Sequence, residues 1–201
     1  MRFVSIDIET TGLDPNRCEV LEIGAVIHDP LPLLEELPTF RFRIRRQVYT
    51  GEPCALSMHH DLFKDLATMP RNTGREVPNG TTRHRDYCGI ECEFPAKFAS
   101  WLRSWHIDSM NFVAAGKNFA HFDEPFLKKI TGSETIQWHH RILDPGSMYV
   151  LDDDEFVPGT NECCRRAGIN PADIPGDEHT SIHDALVVIA LIRKGLLRGT
   201  K

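Results

Sequence analysis

The segment R-F-V-S-I-D-I-E at residues 2–9 does most to constrain the fold. Its side chains alternate with period 2: Val4, Ile6 and Ile8 share one face, and Phe3, Ser5, Asp7 and Glu9 share the other. The alternation predicts a buried strand over Arg2 to Glu9 with two carboxylates side by side. A buried carboxylate without a partner is costly, so each needs a cation or hydrogen-bond donors. The competing reading is a strand end at the surface with both acids solvated. T-T-G-L-D-P, Thr10 to Pro15, follows at once and is turn chemistry. A tight turn there brings backbone N–H groups and Leu13 against anything the acids hold.

The rest of the chain reads as strands first and helices later. Val20 to His28 is a second strand containing Gly24 and Ala25. Phe40 to Val48 is a third, with Phe42 and Ile44 on one face and Arg41, Arg43 and Arg45 on a wet one. Three such strands with short links predict an antiparallel meander. Helices are predicted over Ser57 to Met69, Pro95 to Trp105, Glu124 to Ile130 and Ser181 to Gly195, and over a stretch capped by Thr160 that ends at Ala167 before Gly168. Phe112 to Ala115 and Arg141 to Asp144 are short strands. Arg71 to Glu93, rich in Gly, Pro, Asn, Thr and charge, reads as a long loop or small hairpin inserted in one domain spanning residues 1–201. The order β-β-β-α-β-α-β-α-α is that of an α/β mixed sheet.

Bulk properties narrow the class. Hydrophobic residues make up 41% of the 201 and charged residues 26%, the profile of a soluble globular domain. Ala185 to Ile192, the longest apolar candidate, is far shorter than a bilayer span, so no membrane is expected. Acids within the first ten residues do not fit a secretory signal, and a cytoplasmic chain is the default. The six cysteines then read as free thiols. A formal charge of −6 argues against a protein that coats long nucleic acid. It leaves room for one that grips a chain end, where bound divalent cations would supply positive charge.

Two further segments carry acids in notable places. Asp123, in N-F-A-H-F-D-E-P-F-L (Asn118 to Leu127), sits at a predicted helix start after a predicted strand. It is either an ordinary N-cap or a site residue at the carboxyl end of a strand, where α/β sheets place their sites. In H-T-S-I-H-D-A (His179 to Ala185), Asp184 opens the last helix and His179 falls in the loop before it. The bland alternative is a surface histidine and an acid favouring the helix dipole. Taken together, Asp7, Glu9, Asp123 and Asp184 form a hard oxygen set suited to two Mg²⁺ or Mn²⁺ ions, which clamp the attacking and leaving oxygens of a displacement at phosphorus. An imidazole titrating near neutrality suits removal of the attacking water's proton, and His179 is placed for it.

These three segments resemble the exonuclease motifs of the DEDD superfamily: D-I-E-T-T-G at Asp7 to Gly12, N-F-A-H-F-D at Asn118 to Asp123, and H-x4-D at His179 to Asp184. H-x4-D in place of Y-x3-D is similar to the DEDDh branch, which includes the proofreading subunit of bacterial replicative polymerase, ribonuclease T and oligoribonuclease. V-L-E-I-G-A-V (Val20 to Val26) and R-I-L-D-P (Arg141 to Pro145) add to the likeness. The resemblance implies an RNase H-like fold, a mixed five-stranded sheet flanked by helices. It implies a metal-dependent 3′→5′ exonuclease that acts on single-stranded DNA or RNA 3′ ends and releases nucleoside 5′-monophosphates. Asp7, Glu9, Asp123 and Asp184 would hold two Mg²⁺ or Mn²⁺ per active site, with His179 as general base. Thr10 and Leu13 would seat the terminal nucleotide, with Asn118 and Phe122 as further substrate contacts. A polymerase or another replication or repair protein is a candidate partner. The reading from another class is a catalytically silent RNase H-like module that binds nucleic acid or a polymerase. A Ser/His/Asp hydrolase lacks its G-x-S-x-G elbow.

Other features admit two readings each. His84, Cys88 and Cys92 would line one side of a helix and could hold Zn²⁺, although three ligands without a C-x2-C pair make a weak set. Arg41, Arg43, Arg45 and Arg46 could track phosphates or form the solvated face of an edge strand. Asp152 to Glu155 reads as a solvated loop. Phe122 either stacks on a base or packs in the core. His183, next to Asp184, is expected to face away from the acids as a bystander.

Overall fold

The computed structural model describes residues 1–69, 83–132, 134–177 and 180–198. Strands β1 (Phe3–Thr10), β2 (Val20–His28) and β3 (Thr39–Ile44) form the antiparallel meander that the alternation predicts. Helices α1 (Pro53–Met58) and α2 (His60–Thr68) replace the single helix expected over this region, with the break at His59. Next come β4 (His84–Gly89), α3 (Phe94–Ser104), β5 (Ala114–Ala115), α4 (Asp123–Thr131), α5 (Thr160–Ala167) and α6 (Ser181–Arg198). The sheet order is β4-β3-β2-β1-β5, with β5 parallel to β1 and β4 parallel to β3.

β4 departs from the sequence expectation. Residues 84–89 of the stretch read as loop or hairpin pair with Thr39–Ile44 throughout, so β3 is an interior strand and not an edge. β4 is held by its ladder to β3, by the one buried ring of Tyr87 against Phe40, and by charge. Arg41 Nη2 lies 2.5 Å from Asp86 Oδ2, and Arg43 Nη2 lies 2.7 Å from the same oxygen. Residues 70–82 of that stretch lie outside the described residues.

The two faces of the sheet differ. Val4, Ile6, Ile8, Ile23, Ala25, Phe40 and Phe42 pack with Phe94, Phe98 and Trp101 of α3 and with Phe126 and Leu127 of α4. Phe40 alone meets Phe94, Phe98 and Trp101 at ring-centroid distances of 5.2–6.2 Å, favourable tilted and edge geometries. The opposite face carries Phe3 and Val26, and α6 covers it with Ala185, Leu186, Val188, Ile189 and Ile192. Each of these larger side chains is worth ~1.5–3 kcal/mol when buried, so α6 is pinned to the sheet along its length. That face then runs out of apolar residues at Asp7 and Glu9, where α6 begins. Among the described residues no helix is long and apolar enough to cross a membrane. All six cysteines are unpaired.

Candidate active site

Period 2 and the β1–β2 register build the first half of the site. Asp7 pairs with Gly24 and Glu9 with Glu22, all on the face that α6 crosses. A β-carbon on Gly24 would stand 2.5 Å from the Ser181 carbonyl carbon. Glycine is therefore what lets the start of α6 press onto β2 and bring Asp184 over β1. Carboxylate oxygens of Asp7, Glu9 and Asp184 all lie within 4.8 Å of one another.

Asp123 arrives from the other side. The odd-numbered side chains of β1 face the site, and the Val4 N–H points sideways to the Val113 carbonyl at 2.9 Å. β5 ends two residues after this pairing, so further along the same edge the Ile8 N–H is left for another acceptor, and the Asp123 carboxylate takes it. Asp123 is 2% exposed at the first position of α4, and it contributes to the negative field on Asp7. The structure thus brings the four predicted acids together. His179 lies outside the described residues.

The electrostatics are those of acids crowded together and buried. Burial, then the charges of Asp123, Glu9, Asp184 and Glu22, hold the Asp7 carboxyl well above the ordinary carboxylate range. Burial and the same neighbours push Glu9 up to about 8. Burial likewise raises Asp123 to about 7, against the hydrogen bond from Ile8. Among the described residues, His59 is the only basic side chain within ion-pair distance of Asp7, Glu9 or Asp123. Its Nε2 lies 3.7 Å from Glu9 Oε2, and burial lowers its own pKa, which keeps it neutral and a poor counter-charge. Four carboxylates gathered in this way are hard oxygen donors and fit divalent Mg²⁺ or Mn²⁺, which prefer carboxylate oxygens.

The turn after the acids is firmly tied. The Thr11 N–H donates to the Glu19 carbonyl at 2.8 Å, Thr11 Oγ1 donates to the Thr50 carbonyl at 2.6 Å, and the Glu52 N–H donates to the Thr11 carbonyl at 2.7 Å. Thr10 is 6% exposed and its hydroxyl donates to the Gly12 carbonyl. The side chain of Leu13, in contrast, is 72% exposed, an apolar group held out on a rigid turn. Asn118 is exposed at φ 60°, a conformation asparagine tolerates, with its N–H on Asp144 Oδ2. Phe122 is half-buried and packs on Phe126 at 5.5 Å, which matches its core-packing reading.

His183 is 2% exposed, with its ring beside Gly176 and outside the group of acids whose oxygens cluster within 4.8 Å; it also borders, with Asp7, Asp184 and Lys117, a cavity of about 480 Å³. The arginines of β3 and its extension are engaged with acids more than with water, and Arg41, paired with Asp86, keeps 34% of its side chain exposed. Arg43 is 3% exposed and paired with Glu22 and Asp86, and Arg46 pairs with Glu19 and Glu91. His84 and Cys88 lie on a strand, where four residues span ~13 Å, too far to share an ion. His59 and Glu22 are site neighbours that the sequence reading did not single out. The pairing of Glu22 opposite Glu9 follows from strand register, whereas nothing local marks His59.

Comparison with solved structures places the fold. The chain is similar to E. coli exonuclease I in complex with a dT13 oligonucleotide, with a TM-score of 0.58 and 16% identity over 96% of this chain and 40% of that one. It is similar to the same enzyme with a 5cy-dT13 oligonucleotide, at TM-score 0.62 and 17% identity over 98% and 40%. Against the moderately thermophilic exonuclease I of Methylocaldum szegediense the values are 0.60 and 18%, over 100% and 41%. At such identities the likeness is one of fold: an RNase H-like mixed five-stranded sheet flanked by helices. The chain spans about two fifths of the length of these structures. No protein-family model and no curated protein matches its sequence.

Proposed function

We propose that this chain is a 3′→5′ exonuclease that removes nucleoside 5′-monophosphates from single-stranded ends, DNA above all. One observation carries the reading. Four carboxylates from β1, α4 and α6 converge, and burial and mutual repulsion hold Asp7, Glu9 and Asp123 above the ordinary carboxylate range. Such a cluster is unfavourable by itself and becomes favourable with divalent cations. The single-stranded oligonucleotides bound by the similar exonuclease I structures support the substrate class.

Asp7, Glu9, Asp123 and Asp184 would hold Mg²⁺ or Mn²⁺, which when bound supplies the charge that stabilises the pentavalent phosphate and the departing 3′ oxygen. The remaining work falls to the chain. His179, assigned by its place in H-x4-D, takes the proton of the attacking water. The tied turn at Thr10 to Leu13 seats the terminal nucleotide, with the exposed Leu13 side chain against its base. Asn118 and Phe122, in the segment that leads into α4, are proposed as further substrate contacts on the strength of their motif. The H-x4-D spacing supports the DEDDh branch.

The test is digestion of matched DNA and RNA oligomers of several lengths, labelled at the 5′ or 3′ end, with Mg²⁺ or Mn²⁺. Stepwise shortening of the 5′-labelled strand and early release of the 3′ label as mononucleotide are expected. Endonucleolytic fragments, shortening from the 5′ end, or no shortening at all would reject the proposal.

A further inference from the structure

We infer that Glu22 is a positioning residue whose buried carboxylate clamps the first residue of α6 to β2 and so sets where Asp184 stands relative to Asp7. The inference rests on the reading of Asp184 as a metal ligand. Ser181 Oγ donates to Glu22 Oε1 at 2.6 Å. Ser181 is 0% exposed and Glu22 4%. The other oxygen, Oε2, lies 3.4 Å from Arg43 Nε, and Asp86 braces that guanidinium from its far side. Both oxygens of Glu22 are therefore engaged, and it is not one of the acids whose oxygens cluster within 4.8 Å.

An acid in this place is costly, because its charge adds to the negative field on both Asp7 and Glu9. Its compensation is geometric. Thr180 serves as the helix cap: its carbonyl accepts the Asp184 N–H at 3.0 Å and its hydroxyl the His183 N–H at 3.4 Å. That leaves the Ser181 hydroxyl to reach out of the helix to the sheet. Glu22 and Gly24 are the β2 partners of Glu9 and Asp7. The hydrogen bond from Ser181 and the close approach at Gly24 thus fix α6 to the two ladder positions that carry the acids, and Asp184 follows Ser181 by about one turn.

The test uses the full chain with Ser181→Ala, which removes the clamp's donor and leaves the Glu22–Arg43 pair in place. Mn²⁺ affinity is read by titration calorimetry, kcat and KM on a single-stranded oligonucleotide, and folding by thermal melting. Partners that orient metal ligands typically contribute 10–100-fold to affinity. Mn²⁺ binding is expected to weaken ~10-fold or more, within that range, with kcat reduced, KM within about twofold and Tm within a few degrees. Gly24→Ala, whose methyl would meet the Ser181 backbone and push α6 off β2, should also weaken Mn²⁺ binding, with a larger fall in Tm. Wild-type Mn²⁺ affinity in Ser181→Ala overturns the inference. If that variant does not fold, Ser181→Cys, a weak donor of similar size, is read in the same way. A wild-type chain that binds Mn²⁺ without shortening oligonucleotides defeats the exonuclease reading while the clamp is still judged on affinity. A wild-type chain that binds no Mn²⁺ defeats both.

Discussion

Replacing a site carboxylate by its amide should make the metal-free protein more stable, and Glu9→Gln shows why. Unfolded, this glutamate ionises near 4.5; folded, burial and its acidic neighbours push it up to about 8. Between those values the native state binds a proton that the unfolded state does not, so stability falls as pH rises from about 4.5 to about 8. At ~1.4 kcal/mol per tenfold, the whole interval corresponds to roughly 5 kcal/mol. The side chain is 17% exposed and water reaches the site, so an effective cost of about 2 kcal/mol is the working figure. For a chain of this length that is a Tm gain of roughly 4–8 °C for Glu9→Gln at pH 8. At pH 5, where the wild-type carboxyl is protonated in the fold, the gain should nearly vanish. Thermal melts of both proteins in EDTA at pH 5, 6.5 and 8 measure it. A Tm for Glu9→Gln equal to or below wild type at pH 8 would refute the electrostatic account. Mn²⁺ should reverse the ranking, because the wild type alone keeps the full ligand set.

Asp7→Ala or Asp184→Ala should reduce nuclease turnover by orders of magnitude, and EDTA should abolish it, as followed by oligonucleotide shortening. His179→Ala should lower kcat more than it raises KM, and unchanged rates from mildly acid to alkaline pH would rule it out as the base. Leu13→Ala should raise KM by weakening the seat for the terminal base while leaving Tm close to wild type, since the side chain packs on little of the protein. Arg43→Met strips a buried cation from Glu22 and Asp86 and should cost ~3–5 kcal/mol in denaturant unfolding.

The parts of this fold legible in the sequence were those written in apolar periodicity. β1 alternates, so its two faces are legible, and the apolar residues of β2, α3 and α6 mark them as buried elements. β4 was not legible because H-R-D-Y-C-G carries one buried side chain, and its place depends on Asp86 meeting Arg41 and Arg43 more than forty residues earlier. The same distance hid the role of the arginines: alternating charge looks like a wet face until the acids on β2 and β4 are known. The four acids can be grouped from the sequence because they suit a hard-cation site and fall in D-I-E-T-T-G, N-F-A-H-F-D and H-x4-D, segments that resemble one motif set. His59 cannot be, since it reaches Glu9 only through the packing of α1 and α2 against the turn at Thr11.

Manganese titration followed by electron paramagnetic resonance tests the central claim most directly, because it reads the ions and not the turnover. Wild-type protein near neutral pH should bind two Mn²⁺ with magnetic coupling between them, and Asp7→Asn should lose at least one. Weak, uncoupled binding that is the same in both proteins would contradict an origin for this acidic cluster in divalent-cation chemistry.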